Sequence, residues 1–138
     1  MVNKKVVNGQ LVWKNTGPSY FNGYSIDTDS TGGGIRGWIG NAGTLNLIEK
    51  SVEDVPIKVW HHGVFTWNGS VLKLYLDGVE VASGSQTQNA QVVVNPLTIG
   101  KRSGAYLNGL IGEVRIYSRA LRNQEILDHY IIGKEMLR

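Results

Sequence analysis

The sequence predicts an all-β fold, an antiparallel sandwich or barrel closed by one short C-terminal helix, and three observations predict it. Short β-favouring runs separated by glycine and asparagine fill the chain as far as Tyr117, among them "QLVW", "YSID", "GIRGWIG", "TLNLI", "HHGVFTW", "VLKLYLDG", "VEVAS", "QVVV", "LTIG" and "EVRIY". No helical pattern intervenes between them, as a parallel sheet would require. After Tyr117 the spacing changes, and Leu121, Ile126, Leu127 and Tyr130 recur near the helical period.

The hairpin around Asp77-Gly78 carries the strongest local signal, because this dipeptide accepts the positive φ angles of a two-residue type I′ turn. That turn sets Leu76 opposite Val79 and Leu74 opposite Val81, on one face with Leu72. Lys73, Tyr75 and Glu80 fall on the other face, which is expected to be wet. A second hairpin is predicted at Asn68-Gly69, with Phe65 opposite Leu72 if its loop holds two residues and the reverse facing if it holds three. For the closing helix, Asn123 is the predicted N-cap and Gly133 the predicted stop.

The chain has 138 residues, 41% of them apolar, with 18 glycines and 3 prolines. This describes one globular domain spanning residues 1–138, with no repeat, linker or low-complexity segment. Cysteine is absent, which removes disulfides and thiolate metal sites. The net charge of +3 is scattered, with Lys4-Lys5 and Lys101-Arg102 as local pairs; a nucleic-acid footprint would need a basic stripe interleaved with aromatics. No run approaches the length of a membrane span, and "MVNKKVVNGQLVW" has no apolar signal-peptide core.

Two segments together resemble the laminin G-like and pentraxin-like branch of the concanavalin A-like lectin/glucanase superfamily: "VWHHGVFTWNGSVLKLYLDGVEVAS" from Val59 to Ser83, and "PLTIGKRSGAYLNGLIGEVRIYSRALRNQEI" from Pro96 to Ile126. The resemblance implies a jelly-roll sandwich of two antiparallel sheets. Its members usually carry further strands ahead of the point where this chain begins, so the domain reads as a truncated or minimal version. An open sheet edge is then expected to be repacked, or covered by another copy or a neighbouring chain segment. Where relatives often read Ile-Asp-Glu-Val, this chain has Ile111-Gly112-Glu113-Val114, and the lost carboxylate weakens any calcium site carried over from the family.

Asp27, Asp29, Thr31 and Gly32 alternate like the front of a calcium loop, but the twelfth position is Trp38 and the bidentate acid is missing. A turn is the better reading; no cofactor is expected, and calcium held by other loop oxygens is left open. His61 and His62, adjacent on a strand, point to opposite faces and cannot chelate one ion; one of them is expected to hydrogen-bond beneath a loop. Trp60 and Trp67 read as core or rim packing.

No E-x-D-x-x-E run supplies the paired carboxylates of a retaining glucanase, and no nucleophile elbow is present. The chain is therefore expected not to be an enzyme. In "GIRGWIGN" the alternation sets Ile35 and Ile39 on one face and Arg36 and Trp38 on the other, towards solvent or a partner. Trp38, Arg36 and Trp13 are the candidate ligand-binding residues by indole stacking, joined by Tyr106 and Asn108 in a loop at a strand end.

The resemblance implies a non-catalytic module that recognises carbohydrate or a protein partner, within a secreted or surface-associated protein. The alternative is a structural subunit of a virion, fibre or surface layer whose open edge accepts a strand from a neighbour.

Overall fold

The computed structural model describes residues 10–15, 22–28, 34–42, 44–50, 59–102 and 104–137. Among these residues ten strands and one helix follow in chain order: β1 (Gln10–Asn15), β2 (Gly23–Thr28), β3 (Ile35–Asn41), β4 (Thr44–Lys50), β5 (Gly63–Trp67), β6 (Val71–Leu76), β7 (Val79–Ser85), β8 (Thr98–Ile99), β9 (Lys101–Arg102), β10 (Ala105–Tyr106) and α1 (Asn123–Met136). They form a five-stranded antiparallel sheet in the order β4-β3-β2-β1-β8, a three-stranded sheet β5-β6-β7 and the small hairpin β9-β10. The fold is mostly β with a C-terminal helix, as the run pattern predicts. Among the described residues no helix is long and apolar enough to cross a membrane.

The two sheets face each other across one apolar layer. Ile35, Ile39 and Ile48 from the larger sheet meet Leu72 and Leu74 from the smaller, with Tyr24, Ile26, Phe65 and Trp67 packed around them. Two glycines let the layers approach. The position a β-carbon would take on Gly37 lies 2.2 Å from the Phe65 ring, and that of Gly63 lies 2.4 Å from Ile35 Cδ1.

At Asp77-Gly78 both residues have positive φ, 53° and 82°, and Leu76 pairs with Val79 as the type I′ turn requires. Beyond Tyr75 a β-bulge intervenes and Leu74 pairs with Ala82 rather than Val81. At the other hairpin Trp67 pairs with Leu72 and Phe65 with Leu74, a slide of two residues that preserves the facing. Asn68 causes it: its Oδ1 accepts from the amides of Ser70 and Val71 at 3.0 and 2.8 Å, which carries the reversal onto Gly69-Ser70.

The outer face of the smaller sheet is wet at Lys73 and Glu80, which form an exposed ion pair at 2.8 Å, but not at Tyr75. Tyr75 is only 2% exposed and packs with Leu121, Ile126 and Val64 beneath α1. The helix begins one residue earlier than predicted, with Arg122 as N-cap and its backbone N–H donating to the Glu125 carboxylate at 2.8 Å. Asn123 does not cap because its Oδ1 accepts from the Tyr75 hydroxyl at 2.8 Å, tying helix to sheet. Gly133 does not stop the helix, which runs on to Met136.

Two predicted strands do not form. In "QVVV" the chain crosses the end of the large sheet through Gln91 N to Gly40 O and the Asn41 side chain to Asn89 O, so Val92 and Val94 stand exposed while Val93 is buried. In "EVRIY" residues 111–117 run without turn or bend and belong to neither sheet.

Candidate functional site

The five-stranded sheet buries chemistry on the face opposite its isoleucines. Alternation sets Ile35 and Ile39 inward and Arg36 and Trp38 outward on β3, Ser25 and Asp27 outward on β2, and Trp13 outward on β1. Register completes the arrangement: Trp13, Ser25, Trp38 and Leu47 lie in one row across four strands, and Asp27 pairs with Arg36 in the next. The short Ser25 between the indoles lets them lean together, with centroids 5.1 Å apart and planes at 76°.

Asp27 has no exposed surface. Its Oδ1 accepts from Arg36 Nε, and its Oδ2 lies 3.0 Å from Ser25 Oγ and 3.4 Å from Trp38 Nε1. Ser25 Oγ also lies 2.9 Å from the Val12 carbonyl, so its proton serves one acceptor at a time. Burial pushes the Asp27 carboxyl above the ordinary aspartate value, while Arg36, Ser25 and Trp38 pull it back.

A loop far along the chain completes the site. Gly100, at φ 71°, donates to Leu11 O at 3.0 Å and accepts from Leu107 N at 2.9 Å, anchoring the β9-β10 hairpin beside β1. Arg102 on that hairpin lies over the Trp13 ring, 4.3 Å from its centroid. Two indoles, a carboxylate, two guanidinium groups and the Ser25 hydroxyl are thereby gathered on one sheet face. Groups of these kinds can hold a ring by stacking and fix its polar groups by hydrogen bonds once an indole face is uncovered.

Of the predicted ligand-binding residues, the structure brings Trp13, Trp38 and Arg36 together. The outward facing of Trp38 is as predicted, but its exposure is not: the indole is 2% exposed, enclosed with Asp27 and Trp13. Tyr106 is exposed and pairs with Lys101, one position along the hairpin from Arg102, so it points to the opposite face. Asn108 is exposed in the turn after β10. Neither joins the indoles.

Asp29, Thr31 and Gly32 lie outside the described residues, and Asp27 is engaged by Arg36. Among the described residues no group of three histidine, aspartate or glutamate side chains converges as a metal site needs. His61 Nδ1 and the His62 amide both contact the Asp77 carboxylate at 2.8 Å, and His62 stacks on Tyr130. Trp67 Nε1 donates to Gln86 O at the rim of the core. Arg102 and Ser25 were not among the predicted site residues. Arg102 pairs with Trp13 across 89 positions, for which no local spacing rule exists; Ser25 was legible only as the short residue facing outward between two tryptophan strands.

A laminin G family model described as the concanavalin A-like lectin/glucanases superfamily matches residues 4–127. No curated protein matches significantly. A similar solved structure is that of an S-layer domain-containing protein from Clostridium thermocellum, 22% identical, with a TM-score of 0.46; the alignment covers 94% of this chain and 66% of that one.

Proposed function

Because the chain belongs to the concanavalin A-like lectin/glucanases superfamily, we propose that it is a non-catalytic recognition module that binds carbohydrate, or a protein partner bearing it, at a cell surface. The binding face is the outer side of the five-stranded sheet. One observation carries the reading: Trp13 and Trp38 meet beside the buried Asp27–Arg36 pair, on the face turned away from the core. A ligand reaches Trp13 by displacing the Arg102 guanidinium, which covers that ring, and the freed cation then holds a ligand hydroxyl or carboxylate.

The test is a panel of neutral and acidic glycans against the folded chain and its Arg102→Ala variant. Saturable binding that weakens about tenfold in the variant supports the reading. Binding that is indifferent to Arg102, or no binding by a folded chain across the panel, overturns it.

A second reading, a structural subunit that associates through an open sheet edge, is favoured by a separate observation. Residues 111–117 carry strand-forming sequence but pair with neither sheet, and Ile116 is 58% exposed.

A further inference from the structure

Among the described residues, none from 111 to 117 makes a backbone hydrogen bond to another described residue. The segment is unbent, rich in β-branched and aromatic residues, and exposes Ile116 and Tyr117. It has the chemistry of a strand, and no described strand pairs with it.

Its charge pattern selects the partner. Glu113 and Arg115 lie two apart, on one side of an extended chain, and pair with each other at 2.7 Å, each about half exposed. When two identical strands add antiparallel about an axis normal to the sheet, one residue faces its own copy. Centring on Glu113 or on Arg115 sets like charges face to face. Centring on Val114 sets Glu113 opposite the second copy's Arg115, and Arg115 opposite its Glu113. The same register sets Ile116 opposite Gly112 and Tyr117 opposite Ile111. Gly112 has no side chain, and the space a β-carbon would enter there is bordered by Leu137 at 3.3 Å and Trp60 at 3.5 Å, so the exposed isoleucine gains an apolar neighbourhood.

We propose that residues 111–117 are an association strand whose occupant is the same segment of a second copy, paired antiparallel about Val114 in an isologous dimer. The inference rests on the second reading above and names its partner and register.

Charge exchange between copies tests it. Glu113→Arg and Arg115→Glu change exposed side chains, so each variant keeps its fold. Alone, each sets like charges opposite and weakens the dimer roughly tenfold. Mixed in equal amounts, the two variants restore opposite charges at both pairs, and sedimentation velocity shows a heterodimer about as tight as the original. A within-chain Glu113–Arg115 pair is not restored by mixing. A dimer that ignores both substitutions overturns this strand as its site while the structural-subunit reading stands. A chain that stays monomeric at every concentration overturns both.

Discussion

The two sheets of this sandwich turn different chemistry outward, and the contrast sets packing that stabilises the domain against the face for which recognition is proposed. On the three-stranded sheet the outer face is apolar where Tyr75 packs with Leu121 and Ile126 beneath α1, burial that stabilises the fold, and carries the exposed Lys73–Glu80 pair beside it. On the five-stranded sheet the outer face encloses an aspartate and an arginine between two indoles. Desolvating such a pair costs about as much as the pairing returns. Apolar residues would hold that face together at least as well, and this supports the recognition role proposed for it.

Breaking the ion pair is the largest expected effect. Arg36→Ala leaves Asp27 buried with a charge and is expected to cost about 3 kcal/mol in denaturant unfolding. The Asp27→Asn/Arg36→Ala double substitution removes that charge and is expected to recover more than half of the loss. A surface-like cost for Arg36→Ala would mean that water reaches Asp27, and the contrast between the faces would fall.

On the helical side, Ile126→Ala empties a fully buried site, with an expected cost of about 2–3 kcal/mol. It should leave glycan binding untouched, which the same equilibrium titration checks. Tyr75→Phe removes the bond to Asn123 and is expected to cost about 1 kcal/mol.

The smallest effect is the most discriminating, because acid acts on the two faces with opposite sign. Burial raises the Asp27 pKa above 3.8, so the folded state binds more protons. Its contribution is largest below that value and falls as pH rises through the folded pKa. Burial and the nearby His129 lower the His62 pKa below 6.5; its contribution is complete above 6.5 and is lost as pH falls through the folded pKa. Thermal unfolding across that range should therefore show a loss on acidification that His62→Gln flattens. Asp27→Asn should flatten only the acid-side gain.

Much of this was legible in the sequence wherever a rule is local. Asp77-Gly78 names its turn, alternation in "GIRGWIG" separates Ile35 and Ile39 from Arg36 and Trp38, and the change of period after Tyr117 gives the helix. What escaped depends on partners distant in the chain. Tyr75 looked wet because nothing nearby in sequence shows that α1 returns over it. The bulge that moves Leu74 onto Ala82 has no glycine or proline to announce it. "EVRIY" has the composition of a strand, but a strand needs a neighbour, and the described part of this chain offers none. For the site, Trp13, Trp38 and Arg36 could be read from alternation, whereas Arg102 arrives through a hairpin anchored by Gly100.

The most direct test of the central claim is the indole N–H region of an NMR titration with the glycan that the panel selects, since the four tryptophans divide between the two accounts. Movement of the Trp13 and Trp38 signals, with Trp60 and Trp67 unmoved, is the predicted result and fixes recognition on the outer face of the five-stranded sheet. Movement confined to Trp60 or Trp67 would contradict it.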